Sequence, residues 1–198
     1  MTGQAALRWR QAALRNDGDE LKKQFDRELD GIVPDGVVAH IDHFLSIDDP
    51  DSPLMAVVNV KGTLGTATSK RLLLPGFFFA TKRHQPFVNE EKREEPVDMK
   101  YADRVTDEIT YHLPDGMTVE GAPQDAKIAW PGHAVFIIVT KASPNQIVIA
   151  NSTAVAFTEA KPEEYQDLRG FYQKVETAYQ GGLVLTSTPA APAAGKGN

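Results

Sequence analysis

The chain reads as an α+β protein: mainly antiparallel, β-sandwich-like sheets, with a short helical pair at the N-terminus and one amphipathic helix near the C-terminus. Three observations predict this. Apolar residues recur at helical spacing only near the two ends of the chain. From Val37 onward the apolar period is two. The short strands so defined are separated by tight turns, with no helix between them to carry a parallel crossover.

The opening is two short helices separated by Asn16-Asp17-Gly18. Ala6, Trp9 and Ala13 share one face of the first, flanked by Leu7 and Leu14. In the second, Asp19 is placed to cap, Leu21, Phe25 and Leu29 recur every four residues, and Gly31 ends the pattern. Neither is long enough to be stable alone in water, so each needs a surface to pack on. Val37, Ala39, Ile41, Leu45 and Ile47 then fall on one face of a strand, opposite Val38, His40, Asp42 and Ser46. After the turn at Asp48 to Pro53, Leu54, Ala56, Val58, Val60 and Leu64 alternate in a second strand, expected to pair with the first as a hairpin. Lys70 to Phe79 is a third extended segment closing this sheet, and Pro75-Gly76 marks it as an edge or a bulge.

The charged stretch Lys82 to Pro96 is the expected boundary, giving a first domain over 1–96 and a second over 97–186. In the second, Val105, Ile109, Tyr111 and Leu113 form one strand face that breaks at Pro114-Asp115-Gly116. Further strands follow at Ala126-Ile128-Trp130, Ala134 to Val139 and Ile147 to Phe157, with turns at Pro131-Gly132 and Ser143-Pro144-Asn145. The closing helix is strongly marked. Pro162 suits its first position, Glu163 and Glu164 complement the helix dipole, and Gly181-Gly182 end it. Tyr165, Leu168, Phe171 or Tyr172, Val175 and Tyr179 form its buried stripe, at about 1.5–3 kcal/mol for each fully buried large side chain. Leu183-Val184-Leu185 returns to the sheet, and 187–198 is a disordered tail by composition.

Composition excludes several functions. With 27 acidic and 21 basic residues the formal charge is −6, so no global field draws the chain to phosphates, and nucleic acid is not an expected partner. No apolar run approaches the roughly 20 residues that cross a bilayer, so membrane insertion is not expected either. The absence of cysteine excludes disulfides, thiolate metal sites and thiol catalysis, and leaves the compartment open.

No residue earns assignment as catalytic, metal-binding or cofactor-binding. His40 and His43 are three apart on a strand, which sends them to opposite faces; His43, on the apolar side, reads as a core or edge histidine. His112 and His133 lie beside turns and read as solvated. Asp48, Asp49 and Asp51 lack the glycine and distal glutamate of a calcium loop, and a proline-bounded turn accounts for them. Asp107 interrupts an apolar strand face, which marks a sheet edge or pairing with a buried arginine. GTLGT at Gly62 lacks the lysine and following helix of a phosphate loop, and no GxSxG elbow supports serine hydrolysis.

An ordered set of segments carries a resemblance: GQAALRWRQAALRND, LLLPGFFF, Pro86-Phe87, KREEPVDMKY with Arg93, RVTDEITYHLPDGMTVEGAP, and PEEYQDLRGFYQKVETAYQGGLVLT. Together they resemble the region after the catalytic core of bacterial multidomain transglutaminase-like proteins, a β-rich domain of unassigned function ending in an amphipathic helix and a strand. The resemblance implies a non-catalytic accessory or interaction domain beside an extracytoplasmic enzyme-like module, since the core's cysteine, histidine and aspartate lie outside this region. The expected partner is the upstream core or another protein, and no cofactor is expected. Phe78, with Lys82, Arg83 and His84, places an aromatic beside cations and is the candidate docking surface. The competing expectation is an independent ligand-binding β-sandwich for cell-envelope glycan or peptide, with a groove bearing exposed aromatics.

Overall fold

Capping and spacing decide the first elements of the computed structural model, which describes residues 1–80 and 85–187. Helix α1 (Gly3–Ala13) buries Ala6 and Trp9. Helix α2 (Gly18–Asp30) buries Leu21, Phe25 and Leu29. Its cap is Asp17, whose carboxylate accepts from the Glu20 N–H at 2.8 Å. Asp19, the expected cap, sits instead in the first turn, where an acid still complements the dipole.

Strands β1 (Val37–Leu45) and β2 (Met55–Gly62) form the expected antiparallel hairpin, but the register shifts between Ile41 and His43. That bulge inverts the alternation beyond it. Leu45, expected inside, is 43% exposed, and Phe44 turns inward instead. Its ring lies 5.2 Å from Phe25 and 6.0 Å from Trp9, completing an aromatic trio with the Trp9–Phe25 pair at 4.8 Å. The loop between the strands is gathered by Arg10, whose Nη2 donates to the carbonyls of Ser46, Asp49 and Ser52 at 3.1, 2.5 and 2.7 Å.

The chain continues through β3 (Thr66–Ala67), β4 (Arg71–Pro75), a 3-10 turn at Phe78–Ala80, β5 (Val97–Asp98) and β6 (Asp103–His112). It then runs through β7 (Met117–Gly121), β8 (Ala126–Trp130), β9 (Ala134–Ser143), β10 (Gln146–Val155) and β11 (Glu159–Ala160), and ends with helix α3 (Tyr165–Tyr179) and β12 (Gly182–Ser187). One sheet has the order β6-β10-β9-β8, a second β3-β4-β12-β7, and β5 pairs with β11. Every strand pairing among the described residues is antiparallel.

Two sequence expectations are corrected here. The segment holding β4 does not close the first sheet; Leu72, Leu73 and Leu74 pair with Leu185, Val184 and Leu183 of β12. Pro75 tolerates this position because it lies beyond the reach of β3, which pairs only with Leu72 and Leu73. Strand β7 was not anticipated, although Met117, Val119 and Gly121 alternate with polar neighbours and the strand hydrogen-bonds to β12.

Two compact units result: Met1–Leu64 with Phe79 and Ala80, and Gly65–Phe78 with 85–187. The first has its core between α1, α2 and the hairpin. In the second, α3 buries Tyr165, Leu168, Phe171, Tyr172 and Val175 and runs against β8. The described part of the charged stretch is fastened to this helix. Tyr165 Oη donates to the carbonyls of Phe87 and Glu90 at 3.3 and 3.0 Å, Gln166 Nε2 to that of Glu91 at 2.6 Å, and Arg169 Nε to that of Val88 at 3.2 Å. The tail beyond Ser187, expected to be disordered, lies outside the described residues.

Candidate binding groove

Strand pairing lays the floor of a groove in the second unit. Asp103 opposes Val155 and Val105 opposes Thr153, so these four side chains share one face where β6 begins and β10 ends. The next pair on that face is Asp107 with Asn151, and Asn151 is the one fully buried polar side chain of the described residues. Helix α3 supplies the wall. Tyr165, Tyr172 and Tyr179 are spaced by seven, two turns apart, and therefore share one stripe. The first hydroxyl bonds the Phe87 and Glu90 carbonyls, and the last donates to Asn151 Oδ1 at 2.9 Å. The middle one opens into the groove.

The remaining walls are Gln85-Pro86, just before Phe87, and the turn Met99-Lys100-Tyr101, just before β6. Together they enclose about 320 Å³, a size suited to a small ligand. The Tyr101 N–H returns to the Met99 carbonyl at 2.7 Å with Lys100 at φ 65°, a γ-turn of the rare, strained hand. It is held by the Lys100 N–H donating to Asp98 Oδ1 at 2.7 Å and the Met99 N–H to the Thr158 carbonyl at 2.8 Å.

Several polar side chains converge here with no partner among the described residues. Among the described residues, the side chains of Gln85, Lys100, Thr153 and Tyr172 make no hydrogen bond, and Asp103 uses only Oδ1, on the Arg104 N–H. Tyr172 is only 5% exposed, and burial pushes its hydroxyl pKa above the usual phenol value. Tyr101 is half exposed at the rim. The chemistry on offer is therefore aromatic surface with hydroxyl, amide, ammonium and carboxylate groups.

Among the described residues, none of those weighed from sequence as a candidate site lines this groove; Val105, Tyr172 and Tyr179, which do, read from sequence only as apolar faces. The β1 bulge places His40 opposite Asn59 and His43 opposite Val57, hence on the same exposed face rather than opposite ones. Each histidine has its own carboxylate, Asp26 for His40 at 3.1 Å and Asp42 for His43 at 2.8 Å. Among the described residues no group of three or more His, Asp or Glu is placed to hold a metal.

Asp49 folds back on its own turn, accepting from the Ser52 hydroxyl and the Asp51 N–H, and those bonds lower its pKa. Asp107 lies on β6, which is indeed a sheet edge. His112 and His133 fall at opposite ends of one sheet, since His112 pairs with Gln146 while His133 precedes the Ala134–Val155 pair. His133 stacks on Trp130 with ring centroids 4.0 Å apart.

The glycines of GTLGT serve backbone approach. A Cβ on Gly62 would lie 2.1 Å from the Gly36 carbonyl oxygen, and one on Gly65 2.0 Å from that of Leu73. Of the proposed docking cluster, Phe78 is half-buried, while Lys82, Arg83 and His84 lie outside the described residues. Sequence reading missed the groove because its residues come from five separate stretches. The seven-residue tyrosine spacing was the signal present.

The fold is antiparallel α+β, and no helix among the described residues is long and apolar enough to cross a membrane. The chain belongs to the family described as Domain of Unknown Function with solved-structure structure (DUF3858), whose profile matches residues 70–185. The match therefore takes in β4 through α3, the groove, and β12 as far as Leu185. The fold is similar to a crystal structure from Parabacteroides distasonis ATCC 8503 described as a "putative protease", with TM-score 0.50 and 15% identity over 61% of this chain. This chain spans 24% of the length of that one. The curated proteins contain no match.

Proposed function

We propose that the chain is a non-catalytic accessory module of a larger, extracytoplasmic transglutaminase-like protein, contributing recognition beside a separate catalytic core. The groove carries this reading. Gln85, Lys100, Thr153 and Tyr172 converge around an aromatic rim with no side-chain hydrogen bond among the described residues, which suits binding, and the chain has no cysteine to serve as a transglutaminase-like nucleophile. The family match and the fold shared with part of a longer chain are consistent with a module of a multidomain protein.

The native polypeptide tests the proposal. An antibody against residues 1–198 is expected to detect, in extracytoplasmic fractions of source cells, a species far larger than 21.7 kDa. A species of matching mass would overturn it in favour of the second reading, a free-standing ligand-binding module for cell-envelope glycan or peptide, which the groove also supports.

A further inference from the structure

We propose that the groove holds a neutral sugar ring, stacked by one face on Tyr101 and hydrogen-bonded through its hydroxyls to Tyr172, Asp103 and Gln85. This rests on the recognition role proposed above and names its ligand class.

Charge narrows the choice first. Among the described residues the lining carries one cation, Lys100, and one anion, Asp103, so a ligand of either sign would leave a like charge opposed to it. Hydrogen-bonding capacity narrows it next. The Tyr172 hydroxyl reaches the groove and takes no partner from the described residues, so a ligand can supply one. A sugar hydroxyl both donates and accepts, so it satisfies a phenol, a carboxylate and an amide alike. Aromatic surface is the third element. Tyr101 offers a half-exposed ring to the apolar C–H face of a pyranose without requiring charge.

Backbone strain points to the same place. Of three non-glycine residues with positive φ among those described, Lys100 lines the groove and Phe87 directly follows the lining pair Gln85-Pro86, each at 65°. Such conformations persist where surrounding bonds over-determine them, and they gather at binding sites. The Lys100 turn is what sets Tyr101 at the rim. An extended peptide fits less well. It would add to the open edge of β6, and that strand carries Asp107, a charged residue on its helix-covered face, a device that discourages strand addition.

Saturation-transfer NMR on the full chain tests this with cellobiose, maltose and N,N′-diacetylchitobiose, alongside glucuronate and an alanine tetrapeptide. At least one disaccharide is expected to bind with Kd at or below about 10 mM, its transfer strongest on the C–H protons of one ring face. Tyr101→Ala should weaken binding at least about tenfold. Tyr172→Phe should weaken it about fivefold while leaving the melting temperature unchanged or raised, since no protein partner is lost. The proposal is overturned if no disaccharide binds at that concentration, if Tyr101→Ala leaves binding intact, or if the tetrapeptide or glucuronate saturates the site instead. None of these outcomes alters the mass of the native polypeptide, so the accessory reading stands or falls separately.

Discussion

The first unit closes on neighbours in sequence, whereas the second depends on strands from opposite ends of its chain. In the first, α2 packs on the strand that follows it and β1 pairs with the next strand, β2. In the second, β12 binds β4 on one side and β7 on the other, so the burial of Leu183 and Leu185 depends on strands distant in sequence. The chemistry differs too. Three rings, Trp9, Phe25 and Phe44, fill the first core. All five tyrosines lie in the second unit, where the hydroxyls of Tyr165 and Tyr179 tie helix to loop and helix to sheet. Directed bonds occur in both units, Arg10 to its loop in the first and tyrosine hydroxyls in the second, but those of the second also shape a groove.

The largest expected effect separates the two directly. Leu168 is fully buried on α3, and Leu168→Ala should cost about 2–5 kcal/mol. Amide exchange should lose protection in β8, β9 and β12 while α2 and β1 keep theirs. Equal loss in both units would mean that they unfold together and that the comparison describes geometry rather than energetics.

Local character also decided what the sequence revealed. The Leu21-Phe25-Leu29 stripe, the hairpin and the α3 stripe follow from period and caps, because each is specified by residues a few positions apart. The inversion at Phe44 was hidden, since Asp42 carries no mark that distinguishes a bulge from regular alternation. The β4–β12 pairing was hidden for another reason: LLL and LVL would each pair with many partners, and only the closed fold selects one. The groove inherits that opacity. Its floor needs the β6–β10 register and its wall needs α3, and although the Lys100 turn directly precedes β6, both β10 and α3 are encoded far from it.

A smaller effect tests the first unit. Arg10 gathers three carbonyls of the Ser46–Ser52 loop through one nitrogen. Arg10→Met keeps the aliphatic stem and removes the donors, and because the loop is largely exposed, water replaces part of what is lost. The expected cost is about 1–2 kcal/mol, with faster exchange in the loop and undisturbed packing of Trp9. A shift in the Trp9 environment of the same size as the loop change would mean that Arg10 supports the core rather than the loop.

The smallest effect is alkaline and belongs to the second unit. Tyr111 donates to the Pro75 carbonyl at 2.7 Å, and burial raises its pKa from 10.0 to about 12. A phenol with a raised folded pKa holds its proton more tightly in the native state. Its contribution is therefore complete below about pH 10 and is lost as pH rises towards 12. The informative quantity is the difference made by Tyr111→Phe. Removing the hydrogen bond lowers stability by a constant amount at neutral pH. Removing the titration makes the decline of the urea midpoint above pH 10 shallower, by at most about one proton per molecule. Tyr165 and Tyr172, raised by burial as well, keep part of the slope in the variant. An unchanged slope would show that the Tyr111 phenol ionises equally easily in both states, and that its bond to Pro75 is too weakly enclosed to link β6 to β4.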